Sequence, residues 1–345
     1  KMNKPIISEQ FLKRVLKLQA FEDTFFSKLG SLFHKIIEEG VTTIKTKKDY
    51  EQEILDTFQT ESERYFINSL IDQAFKVASL NREFHSQTTL NDIKAEESKV
   101  IKLSDNVYLA GQVDKAMIDK NSKLIAVVDY KTGKVKIEKS LVEYGLSLQL
   151  PLYALMLKDA YKDYKIAGLY IQNVLEDPHD EESLGEYKLK GLTINDDKIV
   201  KKLDSGLGTR TNDEGKMEHS SKYIDGVKVN NDGLIGKTGT VEESVFDELA
   251  ENAKEATNIA SERILNGDFM IRPLVKDEYH DNPCIYCPCN DICLKKGKDS
   301  IDLQEYKEQY EAYREAYKRR LEQRLEERLD EASSEEPSSV TSAEE

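Results

Sequence analysis

VYLAGQVDKAMID, residues 107–119, and KLIAVVDYK, residues 123–131, decide the fold. Both runs are rich in β-branched and apolar residues, and the turn formers Asp119, Lys120, Asn121 and Ser122 lie between them, so the pair reads as a β-hairpin. The hairpin carries chemistry. Asp114 stands on the first strand, Asp129 on the second, and Lys131 two residues beyond Asp129. Side chains alternate along a strand, so Asp129 and Lys131 share a face. An aspartate there can hold a divalent cation while an ammonium approaches the same scissile group.

Around the hairpin the periodicity changes. Residues 8–40 and 48–80 read as helices, and in GSLFHKIIEEG, residues 30–40, Leu32, Phe33, Ile36 and Ile37 form one buried face around His34. After the hairpin comes an apolar helix over 141–160, then the strand KIAGLYIQNVL, residues 165–175. Helix, strands, helix, strand describes an α/β fold with a mixed central sheet flanked by helices. The divisions expected are a helical part over 1–97, a core over 98–175 and a surface insertion over 176–240. A helix and cysteine loop over 241–300, an amphipathic helix over 301–330 and a disordered acidic tail over 331–345 complete the chain. The insertion is inferred from the turn-dense GLGTRTNDEGK and VNNDGLIGKTGT, residues 206–216 and 229–240. The helix of residues 242–266 is expected to end at Gly267. In the last helix Leu303, Tyr306, Tyr310, Tyr313, Tyr317 and Leu321 recur at steps of 3 and 4, an apolar stripe that packs on something.

The chain has 345 residues, ample for a buried core, and a net charge of −15. That charge argues against a general nucleic-acid coat. Residues 301–345 hold seven basic and fourteen acidic side chains, so about half of the excess sits in the tail. A local positive channel is all a phosphate-cleaving site needs. No stretch approaches the roughly 20 apolar residues of a membrane span, and no basic segment precedes an apolar run near the N-terminus. The expected location is the cytoplasm. No GxxxxGK[ST] loop is present, so any unwinding motor comes from elsewhere. All four cysteines, Cys284, Cys287, Cys289 and Cys293, fall within ten residues, which reads as a metal site rather than a disulfide scaffold.

In these residues the chain resembles the RecB-type PD-(D/E)XK nucleases, and most nearly the nuclease domain at the C-terminal end of AddB-type helicase-nuclease proteins. The resemblance runs in order through LKRVLKL, GSLFHKIIE, GQVDKAMID, VVDYKTGK, GLSLQLPLYAL, ILNGDFMIRP and CIYCPCNDIC, from about residue 10 to residue 295. It implies a restriction-endonuclease-like core closed by a C-terminal cysteine latch. Asp114 and Asp129 are then the expected ligands of Mg²⁺ or Mn²⁺, with Lys131 as their catalytic companion. His34 matches the family's helix-borne histidine and adds an imidazole ligand, which moves preference toward Mn²⁺. A lone helix histidine is ordinarily a packing residue, and the ordered motifs reverse that expectation. The backbone carbonyl of Tyr130 is the expected further metal oxygen. A lysine ordinarily keeps its proton at neutral pH, so Lys131 is read as an electrostatic stabiliser before a general base. Gln149 and Tyr153 lie one helical turn apart and match the QxxxY motif that contacts DNA or steadies the lysine. Core packing is the equal alternative for Tyr153.

The cysteine loop resembles the family's iron-sulfur latch. Cys284, Cys287 and Cys293 have the C-x2-C-x5-C spacing for a [4Fe-4S] cluster. The fourth ligand is expected near Ile6, where no cysteine stands, and Cys289 is the substitute. Zinc is the competing metal. The resemblance further implies a single-stranded DNA exonuclease in helicase-coupled double-strand break repair and recombination, cut from a longer parent and working with an AddA-like helicase-nuclease partner. Two rival readings stay open: a stand-alone phage or CRISPR-adaptation exonuclease, and a non-catalytic scaffold on DNA ends. The joint presence of His34, Asp114, Asp129 and Lys131 speaks against the scaffold, because clustered carboxylates are costly to keep without use.

Overall fold

A computed structural model describes residues 25–104, 107–133, 138–175, 187–211, 215–275, 283–287, 293 and 295–334. They fall into two compact units divided after Ala256. The first is built on a sheet whose middle strand is almost wholly apolar. Helix α1 (Phe25–Thr42) buries Leu29, Leu32, Phe33, Ile36 and Ile37 along one stripe, each worth roughly 2 kcal/mol of transfer. Gly40 lets it approach helix α3 (Glu61–Gln87), since a Cβ at Gly40 would lie 2.6 Å from that of Ala78. The short helix α2 (Glu51–Thr57) precedes α3, so the helix expected over 48–80 is broken around Thr60 and runs on to Gln87. Thr60 makes the break. It caps α3 through a reciprocal box in which Glu63 N donates to Thr60 Oγ1 at 3.2 Å and Thr60 N to Glu63 Oε2 at 3.0 Å.

Strands β1 (Asp92–Ser104), β2 (Val107–Asp119), β3 (Leu124–Lys131), β4 (Lys165–Asn173), β5 (Leu189–Ile194) and β6 (Thr240–Val241) form one six-stranded sheet in that spatial order. The hairpin of β2 and β3 is as the sequence predicts, with Lys115 opposite Val128 and Asp119 opposite Leu124. β3 is parallel to β4, which requires a crossover. Helices α4 (Lys139–Val142) and α5 (Gln149–Ala160) supply it, separated where Gly145 and Ser147 take positive φ. β1 begins at Asp92, ahead of the expected strand at residue 98. It is an edge strand, where charged residues such as Lys94 and Lys99 replace the apolar run that marks a buried strand.

The segment expected as a surface insertion over 176–240 is corrected by the structure. β5 pairs antiparallel with β4, and helix α6 (Asp197–Leu203) follows it, capped by Asp196. Leu189, Ile194, Val200, Leu203 and Tyr223 join the same core as α1 and β3. Buried Asp204 anchors the turn-rich remainder: it pairs with Arg210 and accepts from Ser221 Oγ at 2.6 Å. Turn composition reports local geometry, and a six-residue strand among many glycines and asparagines leaves little periodicity to read.

Helix α7 (Glu243–Leu265) buries Phe246, Leu249, Ala250 and Ala253 in the first unit. In the second unit its last turn ends as expected, with Gly267 at φ 72° and Asp268 N bonded to Arg263 O. Helix α8 (Leu303–Ser334) runs beyond the expected end at residue 330. Arg263 stacks 4.0 Å over the Tyr313 ring, Arg272 donates to Tyr313 OH at 3.0 Å, and Arg320 and Arg324 both hold Glu262. Tyr310 and Tyr317 of the stripe are buried. Among the described residues no helix is long and apolar enough to cross a membrane.

Candidate active site

The ladder between β2 and β3 stops at the pair Lys115 and Val128. Past that point the strands part, and the N–H of Tyr130, released from the ladder, donates to Asp114 Oδ2 at 2.9 Å. A backbone donor inside a protein needs a partner, and here a carboxylate replaces the neighbouring strand. Asp114 is therefore held in the opening. His34 reaches it from α1, with Nδ1 3.8 Å from Asp114 Oδ2, and the imidazole rests edge-on against the Tyr130 ring at 5.4 Å.

Asp129 lies on the opposite face of β3 from the Tyr130 ring and is 1% exposed. Its Oδ2 contacts the Lys131 ammonium. Its Oδ1 accepts from Gln149 Nε2 at 2.6 Å and from Tyr153 OH at 3.5 Å. Gln149 also donates to Tyr153 OH at 2.9 Å, which the one-turn spacing on α5 predicts. Burial pushes the Asp129 carboxyl up to about 6; the Lys131 ammonium opposes that rise and the Asp114 carboxylate adds to it. A buried carboxylate with a second carboxylate nearby and one ammonium in contact leaves the pocket with excess negative charge.

The donor set is hard: two carboxylates, an imidazole and main-chain oxygen suit Mg²⁺ or Mn²⁺. It is not drawn into a finished cage. Among the described residues no three His, Cys, Asp or Glu side chains form a group that could hold a metal. Each acid has a partner of its own: Asp129 pairs with Lys131, and Asp114 accepts from the Tyr130 backbone donor.

Behind the site, on the face toward α1 and α3, lies a polar group that the sequence reading missed. Asn81 and Gln172 exchange hydrogen bonds at 2.9 and 3.0 Å, Asn81 also donates to Tyr130 OH at 3.4 Å, and Gln172 donates to Tyr187 O at 2.8 Å. Lys115 is 2% exposed, and burial lowers it to about 8 against the opposing pull of Glu38. Glu38 sits four residues after His34, a helical spacing that was available as a signal. Asn173 at the end of β4 was also passed over.

The cysteines are only partly placed. Cys284 lies in a short 3-10 turn (Pro283–Tyr286) that Cys287 follows, Cys287 N donates to Cys284 O at 3.3 Å, and Lys295 Nζ approaches Cys284 Sγ at 3.5 Å. Cys284, Cys287 and Cys293 take part in no disulfide, and no three metal-ligating side chains gather among the described residues. Cys289, Ile6 and the LKRVLKL stretch lie outside the described residues.

The site thus sets a buried acid paired with lysine at the end of β3 beside a second acid where the sheet opens. The profile of the PD-(D/E)XK nuclease superfamily matches residues 10–294, and the chain belongs to that superfamily. Among curated relatives, the B-type subunit of the ATP-dependent helicase/deoxyribonuclease of Thermoanaerobacter sp. is 25% identical over 232 residues, 61% of this chain and 19% of that protein. The protein of the same name from Clostridium novyi is 30% identical over 55% of this chain and 17% of its own length, and that from Lactococcus lactis subsp. cremoris is 23% identical over 83% and 27%. The chain thus spans about a quarter or less of these relatives. Likeness to solved structures is slight: a protein from Vibrio cholerae covers 75% of this chain, with 58% of its own length aligned, at 12% identity and a TM-score of 0.20.

Proposed function

We propose that this chain is a Mg²⁺- or Mn²⁺-dependent deoxyribonuclease, an exonuclease on single-stranded DNA ends, serving helicase-coupled double-strand break repair beside an AddA-like partner in the cytoplasm. The observation that carries the reading is the buried Asp129 and Lys131 pair next to Asp114. Asp114 and Asp129 would hold the cation, with His34 and the Tyr130 carbonyl as further donors. When bound, the cation supplies charge neutralisation at phosphate and a more acidic water. Gln149 fixes the plane of the Asp129 carboxylate, and Tyr153 backs it from the same helix face. Lys131 offers its ammonium to the charge that grows on the non-bridging oxygens. A water oxygen bonds to phosphorus as the P–O bond to the leaving nucleotide breaks, leaving a phosphate on one product and a hydroxyl on the other.

The test is digestion of end-labelled single-stranded DNA with Mg²⁺, Mn²⁺ or EDTA by the parent and by Asp129→Ala and Lys131→Ala. Loss in both variants and in EDTA supports the proposal, and equal digestion by all three proteins ends it. The [4Fe-4S] latch on Cys284, Cys287 and Cys293, with Cys289 as the substitute fourth ligand, rests on the family resemblance of the cysteine loop, which its spacing fits. Iron analysis of anaerobically purified protein decides it: bound iron supports the cluster, and zinc without iron replaces it.

A further inference from the structure

Asn173 ends β4, opposite Lys131 in the parallel register of β3 and β4. Partners in such a register project from the same face, so the Asn173 side chain emerges beside that of Lys131. Asn173 is 7% exposed, and its Oδ1 has no hydrogen-bond partner among the described residues. A buried amide oxygen left without a donor is destabilising, which calls for a physical reason. The reason is not a general looseness of β4. Gln172, one residue earlier and on the other face, bonds through both its amide atoms.

The Lys131 side chain is 15% exposed, and its ammonium has three protons to donate. Its contact is Asp129 Oδ2, the oxygen that a divalent cation would also take. Both cannot use that oxygen fully. Once Asp129 serves a cation, a largely buried ammonium needs another acceptor, and a neutral one avoids pulling it away from phosphate.

We propose that Asn173 is a positioning residue for Lys131: its amide oxygen accepts the ammonium when Asp129 is committed to a cation, and holds it toward the substrate phosphate. This rests on the reading of Asp114, Asp129 and Lys131 as a nuclease centre. Asn173→Leu keeps the volume and removes the acceptor. In EDTA it should melt higher than the parent, because an unmet polar group has gone. Its Mn²⁺ affinity, read by electron paramagnetic resonance of free Mn²⁺, should fall about tenfold, and kcat about tenfold at little-changed KM. Asn173→Asp keeps an acceptor and should retain most of the Mn²⁺ affinity.

The decisive measurement is the double-mutant cycle with Lys131→Met. In that background Asn173→Leu should no longer alter Mn²⁺ affinity. Independent effects in the cycle, or Asn173→Leu with parental affinity and kcat, would overturn the proposal. Should Asn173→Leu not fold, Asn173→Ala, which also lacks an acceptor, replaces it in the same cycle with the same expectation. Mn²⁺ binding and cleavage by the parent without coupling between 131 and 173 would sink the role of Asn173 alone; no Mn²⁺ binding by the parent would sink the nuclease reading with it.

Discussion

The two faces of β3 carry polar groups of similar kinds under opposite rules. Toward α1 and α3, the amides of Asn81 and Gln172 close on each other and on Tyr130 and Tyr187. Toward α5, Asp129 is buried with a raised carboxyl, and the neighbouring Asn173 oxygen goes without a partner among the described residues. Both faces are desolvated, so burial alone does not separate them. What separates them is completion. A closed network specifies packing, whereas an open one keeps binding capacity for something that arrives later.

The sharpest way to break this contrast is on the open face. Asp129→Ala is expected to lower DNA cleavage on the order of a thousandfold or more while leaving the melting temperature near or above that of the parent. Gln149→Ala, which frees the Asp129 carboxylate to rotate, should cost about 10- to 100-fold in Mg²⁺ affinity or rate, measured by metal titration of the initial velocity. On the closed face the pattern reverses. Asn81→Leu strands the Gln172 amide and should destabilise by roughly 2–4 kcal/mol in urea unfolding, with cleavage per folded molecule within about threefold of the parent.

The smallest effect is a slope. The folded Asp129 carboxyl titrates at about 6, above the unfolded carboxylate range, so the folded state binds more protons between those limits. Its contribution favours folding at low pH and is lost as pH rises toward and through about 6. Denaturant unfolding in EDTA across that window should show a declining component that Asp129→Asn removes; an unchanged slope would mean that the acid is not desolvated.

Much of this was legible in the sequence because its signals are strong. β2 and β3 are long apolar strands with a turn between them, and the Asp129 to Lys131 spacing fixes a shared face whatever else the fold does. Gln149 and Tyr153 followed from one helical turn. β1 was partly missed because an edge strand is coded by charge, and β5 because a short strand is lost among glycines and asparagines. Asn81 and Gln172 are 91 residues apart and meet only in three dimensions. Lys115 reads as an ordinary solvent residue, and only the packing of α1 and α3 buries it.

Asp119 closes the β2 to β3 turn, its Oδ1 accepting from Asn121 N and Ser122 N at 3.0 Å each, while Thr89 Oγ1 donates to Oδ2 at 2.9 Å. This clasp lies at the far end of the hairpin from the acids, yet it sets their phase. Sliding β2 by a single position would swing Asp114 to the rear and bring Lys115 forward, exchanging an anion for a cation at the mouth of the pocket. The sign of the charge presented to an incoming phosphate is therefore decided by the bend where the ribbon reverses, as a key's teeth are set by its shoulder.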